Sequence, residues 1–182
     1  MHKVLVLNSD YRPFALWSYK KAMKKWLGDN DAESVYVVSE SSRYLKDGSG
    51  NLWNVPSIVA LQNYIDISNK LAKYSKTNVY ARDQKICQYC NTRLMDRELT
   101  VDHVIPRSVW KKKRMKGSHS NFTNVVTSCF PCNSKKGSRT PDQAGMPLLK
   151  RPTTITRGQI FICKLAMTDI MADWVPYVES YM

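Results

Sequence analysis

"VDHVIPRS" occupies residues 101–108. The chain has three histidines, and one of them, His103, stands here directly after Asp102. An Asp–His step by itself is far more often an ordinary polar step at a strand end than a catalytic pair, so the flanking residues decide. "LTVDHVI" (99–105) alternates and is rich in branched residues, which predicts a strand that Pro106 ends. "NVVTS" (124–128) predicts a second strand. "NSKKGSRTPDQAG", which starts at Asn133, predicts a short helix with Gly137 placed to stop it early.

Two C-x-x-C pairs bracket these strands: Cys87 and Cys90 in "CQYC", Cys129 and Cys132 in "CFPC", with 38 residues between Cys90 and Cys129. Two such knuckles suit one closed tetrahedral zinc site, in which four sulfurs satisfy the ion and leave no open position, so the zinc is structural. Disulfides are the competing use of these cysteines, and a reducing compartment argues against them. A redox C-x-x-C needs only one pair. Cys163, alone in an apolar stretch, reads as a small buried hydrophobe.

The charge points to a polyanion. Net charge is +13, unevenly spread: residues 76–151 hold 16 Lys/Arg against 5 Asp/Glu, whereas residues 1–75 hold 10 against 7 and residues 152–182 hold 2 against 3. A basic excess concentrated in one segment suggests a polyanion-binding face, with a merely soluble basic protein as the alternative. "VLVL" near the N-terminus is too short for a signal-peptide core, and no apolar run approaches bilayer length. The expectation is a cytoplasmic protein with no membrane partner.

The order is knuckle, strand ending in Asp–His, basic loop, strand, knuckle, helix. With the stretches "CQYC", "TVDHVIPRS", "NFTNVVTSCFPCNSKKG" and "TPDQAGM", it resembles the HNH endonuclease family, with its ββα-metal fold. Asn124 and Asn133, nine residues apart, are part of the likeness, as are "NVYARD" before the first knuckle and the N-terminal "VLVLNSDYRPFALWSYKKA", which looks like the opening of a prokaryotic and phage subgroup. The resemblance implies that His103 polarises a water, that Asp102 and Asn133 hold a catalytic Mg2+ or Mn2+, and that Asn124 braces the loop that orients the histidine. The residue chemistry agrees. An imidazole of ordinary pKa, about 6.5, accepts a proton at neutral pH, and carboxylate and amide oxygens suit a hard divalent cation. Neighbours on a regular strand face opposite ways. Either the strand twists or ends at this point, or Asp102 and His103 approach a phosphate from different sides; the resemblance implies the latter.

Where relatives carry a short Gly-rich turn, this chain has "VWKKKRMKGSHSNF". Lys111, Lys112, Lys113, Arg114 and Lys116 form an expected phosphate-contacting arm, and Lys135 and Lys136 beyond the second knuckle are expected to join it. His119, in the same loop, reads as a surface residue, with a second catalytic histidine as the alternative.

The expected architecture is α+β: an N-terminal α+β portion (1–75), the ββα-metal core with its four-cysteine zinc site (76–151), and a C-terminal helical tail packing on the core (152–182). The expected function is metal-dependent hydrolysis of DNA phosphodiesters, by nicking or by double-strand cleavage, with DNA as partner and a homodimer or a phage packaging or recombination protein as further candidates. The alternatives are a non-catalytic zinc-ribbon nucleic-acid-binding protein and a nuclease subunit of a phage packaging or repair complex.

Overall fold

The structure is a computed structural model that describes residues 3–28, 34–66 and 70–181. The expected N-terminal portion includes residues 1–2, 29–33 and 67–69, and the expected tail includes residue 182; these lie outside the described residues. In chain order the elements are β1 (Lys3–Leu7), β2 (Pro13–Ser18), α1 (Tyr19–Leu27), β3 (Val35–Lys46), β4 (Leu52–Leu61), α2 (Lys76–Arg82), β5 (Leu99–His103), α3 (Arg107–Lys112), β6 (Val125–Cys129), α4 (Phe130–Lys136), α5 (Pro141–Ala144), α6 (Arg157–Leu165) and α7 (Val175–Val178). The mixture is α+β, as expected, and the chain divides into two compact units, Met1–Ser68 with Lys164–Met182, and Asn69–Cys163.

The first unit is built on a sheet of order β2-β1-β4-β3. β1 pairs parallel with β4 and antiparallel with β2. Its residues Val4 to Leu7 are wholly buried, as a parallel-paired central strand covered on both faces requires. Val4, Val6, Phe14, Trp17, Val35 and Val59 form the core, with Ala22 of α1 against them. Ser18 caps α1 by accepting from the Lys21 amide at 3.3 Å. β3 and β4 make a long antiparallel hairpin whose turn is tied by Asp47, a carboxylate that accepts from Ser49 N, Asn51 N and Trp53 Nε1. The sequence reads "SVYVVSE" (34–40) as a strand, with "SGN" (49–51) and Pro56 as punctuation after it, whereas β3 runs on to Lys46. Pro56 is accommodated where the β3–β4 register is irregular, the place a strand tolerates proline. Of the expected tail, residues 152–163 fall in the second unit and residues from Lys164 onward in the first, where the buried Trp174 indole donates to Ser57 Oγ at 2.9 Å and to Ser57 O at 3.1 Å.

The second unit carries the ββα element. β5 and β6 pair antiparallel, with Leu99 opposite Cys129 and His103 opposite Val125. Both strands fall within two residues of the stretches read from the sequence. α4 begins three residues earlier than expected, at Phe130, so the second knuckle is part of the helix. Cys129 is extended at its N-cap, Pro131 occupies the first turn where its missing N–H is harmless, and Gly137, at φ +56°, ends it.

The free edge of β6 is tied by side chains of "ARD" (81–83). Arg82 donates through Nη1 to Phe122 O at 2.6 Å and through Nη2 to Val125 O at 2.8 Å, and Asp83 Oδ2 accepts from Thr127 N at 2.7 Å. Arg82 Nε and Asp83 Oδ1, 2.8 Å apart, make the pair that holds both side chains in place. Gln88 N donates to Thr127 O at 2.9 Å, so the first knuckle is hydrogen-bonded to the same strand. No described helix is long and apolar enough to cross a membrane.

Candidate active site and zinc centre

The four knuckle cysteines meet. The Sγ atoms of Cys87, Cys90, Cys129 and Cys132 all lie within 4.8 Å of one another. A tetrahedron with zinc–sulfur bonds of about 2.3 Å has edges of about 3.8 Å, and the Cys90–Cys129 sulfur separation is 3.9 Å. The residues present therefore suit a four-thiolate zinc. The Thr92 hydroxyl beside Cys90 pulls that thiol down to about 6, so one ligand is poised to ionise, and zinc binding requires all four as thiolates. Asn91, at φ +61°, makes the tight turn between the cysteines of the first knuckle and "TR" beyond it.

β5 presents two clusters, one on each face, as strand geometry demands. Thr100 and Asp102 meet α4. Asn133 Nδ2 donates to Thr100 Oγ1 at 3.3 Å, and one helical turn on, Lys136 reaches Asp102. Asp102 is 5% exposed. Its Oδ2 accepts from Tyr89 Oη at 2.5 Å and from Lys136 Nζ at 2.9 Å, and its Oδ1 from Lys136 at 3.1 Å. Burial, together with the Asp102 carboxylate, pushes the Tyr89 phenol up, so it stays a proton donor.

His103 faces the other way, toward the loop that closes the β5–β6 connection. Its Nε2 lies 3.0 Å from Ser120 Oγ and 3.3 Å from His119 Nδ1, and Ser120 Oγ lies 2.9 Å from His119 Nδ1. The two imidazoles cross edge to face with centroids 5.2 Å apart. Burial, the Arg107 guanidinium and His119 together push His103 down to about 4, so it is neutral at physiological pH. Among the described residues its Nδ1 has no hydrogen-bond partner, which leaves that nitrogen for a ligand.

Asn124 is buried and ties the two ends of the connection. Its Oδ1 accepts from Ile105 N at 2.9 Å, while its Nδ2 donates to Ile105 O at 3.2 Å and His119 O at 2.9 Å. The segment just after His103 and the segment that carries His119 are thereby locked together.

The basic arm is split between elements. Lys111 and Lys112 close α3, and Lys113, Arg114 and Lys116 follow it; all five are exposed, as is Lys135 on α4. Lys136 is a correction: its side chain is buried and its ammonium is spent on Asp102 and on His103 O at 2.8 Å, so it cannot touch a phosphate. His119 is a second correction, since it is half-buried against His103 rather than set apart on the surface.

With this ββα element and thiolate cluster in view, the comparisons with known sequence families are decisive. Residues 87–149 match the HNH endonuclease family, and residues 4–69 match the HNH endonuclease-associated N-terminal domain. The chain belongs to the HNH endonuclease family. Comparison with curated proteins and with solved structures gave no match. The HNH match spans both zinc knuckles and the Asp102–His103 step, and the flanking match covers the β1–β4 sheet. Tyr89, Ser120 and Arg107 escaped the sequence reading of this HNH core, and Lys136 was read there as a phosphate contact and not as the partner of Asp102. Tyr89 sits inside a knuckle, where the cysteines absorb the signal. Lys136 carries one retrospective cue: it stands three residues after Asn133, on the same helical face.

Proposed function

We propose that this chain is a divalent-cation-dependent DNA endonuclease in which His103 is the general base. The observation that carries the reading is the free Nδ1 of a neutral, half-buried imidazole at the end of β5, one residue from a carboxylate on the opposite face. A base needs its lone pair on Nδ1, so Nε2 bears the proton. Nε2–H then donates to Ser120 Oγ, and the Ser120 hydroxyl donates to His119 Nδ1, which gives each short contact one proton. Asn124 fixes the loop that holds this chain in place. His103 Nδ1 takes the proton of the attacking water.

Asp102 and Asn133 are the proposed holders of Mg2+ or Mn2+. A carboxylate offers about four lone-pair sites; Tyr89 and Lys136 occupy three, which leaves one on Oδ1. The side-chain oxygen of Asn133 accepts no hydrogen bond from a described residue. These hard oxygens suit such a cation, which supplies a Lewis acid for charge developing at phosphorus. The exposed Lys111, Lys112, Lys113, Arg114, Lys116 and Lys135 are the proposed backbone contacts of the DNA, and they bring no sequence preference with them. A homodimer or a phage partner would supply a second cut or a target.

The competing reading is a non-catalytic zinc-ribbon binder, favoured by one observation: Asp102 is already neutralised by Lys136. Purified protein on supercoiled plasmid separates the two. Nicking with Mg2+ or Mn2+, abolished by chelator and lowered about 10²–10⁴-fold in His103→Ala, is the expected result. DNA binding without cleavage in any divalent ion would leave the binder standing.

A further inference from the structure

Lys136 is the one lysine buried without exposure in the described structure, and the proposed chemistry gives it no task. An ammonium in the interior is costly unless every proton and the charge find partners. Here they do: two contacts go to Asp102 and one to the carbonyl of His103, which uses the donors of a single ammonium. The acceptors belong to the two residues at the heart of the candidate site. The lysine approaches from α4, on the same face as Asn133, so both proposed cation holders and Lys136 converge from the same two elements.

We propose that Lys136 is the resident counter-ion of Asp102 and competes with the catalytic cation for it. The inference rests on the reading that Asp102 holds that cation. In the folded protein the ammonium keeps the carboxylate oriented and compensated; two of its three occupied lone pairs belong to Lys136. A cation that binds Oδ1 enters beside a positive charge already in contact with both oxygens. Lys136 is thus a positioning residue that stabilises the cation-free fold and weakens cation affinity. Free Mg2+ is then engaged chiefly when the DNA phosphate adds its own oxygen and charge.

The test is Mn2+ binding to the zinc-loaded full-length chain without DNA, measured by calorimetry. Lys136→Met removes the charge while keeping an unbranched side chain, and it is expected to bind Mn2+ roughly ten-fold more tightly than wild type, the scale of deleting one unit charge several ångström from an ion in a screened site. Lys135→Met, which removes the same charge from the exposed side of the same helix, is expected to change affinity far less. The melting temperature gives a second readout. Lys136→Met should melt lower than wild type in chelator and recover more on adding Mn2+. If the Met variant does not fold, Lys136→Gln, which can still hydrogen-bond to Asp102, takes its place with the same expected direction. Affinity in the Lys136 variant equal to or weaker than wild type overturns the proposal. Asp102→Asn separates the two ideas. If it loses Mn2+ binding while the Lys136 variant is unchanged, only the counter-ion proposal fails; if it binds Mn2+ like wild type, Asp102 is not a cation holder and both fail.

Discussion

His103 differs from a free histidine in the direction that matters for a base. Burial, then Arg107 and His119, disfavour its cationic form and bring it to about 4. Below that value the ring is protonated and Nδ1 is blocked; above it the base is available. Cleavage should therefore show little dependence on this group between about pH 6 and 8 and should fall through an acid limb below the ordinary histidine value of about 6.5. Single-turnover rates across pH check this, and a limb near 6.5 that survives in His103→Ala would assign it to another group. An imidazole of ordinary pKa would put that limb near neutrality, and a string of letters carries the type of a residue and not its desolvation. For the same reason Asp102 and His103 were legible as a pair, their chemistry being written in adjacent positions, whereas Lys136 was not. A lysine next to another lysine reads as an exposed phosphate contact, and only the packing of α4 on β5 reveals that it is buried.

At the scale of elements, α4 carries a cysteine of the four-thiol cluster in its first turn and an ion pair to Asp102 in its last. Metal analysis of the purified protein should find one zinc per chain. Cys129→Ser should lower both zinc content and thermal stability, because metal binding and folding are linked; full zinc occupancy with Cys129 absent would reject the four-thiolate set. The edge of β6 gives an independent prediction. Arg82 and Asp83 are nearly buried, and removing one partner strands the other. Asp83→Ala should destabilise the protein by about 3 kcal/mol, the usual range for half of a buried pair, as read by urea unfolding, and a loss within a few tenths would mean that water replaces the carboxylate at Thr127. The strands of this core were readable because alternation and branched residues act locally. The start of α4 was misread because the knuckle looked like a loop: "FP" is a helix opening only once Cys129 is held extended by its pairing with Leu99.

For the whole molecule, charge is the property that composition announces and the structure refines. The +11 excess of residues 76–151 coincides with the segment that holds the HNH match, and its densest run, residues 111–116, is exposed. Replacing Lys111, Lys112, Lys113, Arg114 and Lys116 with Ala should weaken DNA binding on every sequence alike. It should also flatten the salt dependence of affinity by up to about one unit of slope for each phosphate the arm no longer neutralises. An unchanged slope would return the run to the role of solvated surface. The strand-like "KVLVLN" and "SVYVVSE" with the amphipathic "SYKKAMKKWLG" between them made the first unit readable as α+β, yet its strand order was not recoverable. β1 lies between β2 and β4, a long-range pairing with no local signature.

Seven consecutive residues, Phe130 to Lys136, contain a member of the four-cysteine cluster in Cys132, a proposed cation holder in Asn133 and the partner of Asp102 in Lys136. Such crowding has a consequence for how this segment is inherited. Loss of the knuckle releases the helix, and a released helix no longer presents its asparagine or its lysine. Decay is then collective: among descendants of this chain, lineages that have given up the second C-x-x-C should have drifted at positions 133 and 136 as well, while those that keep the cysteines should vary freely only at the outward positions between them.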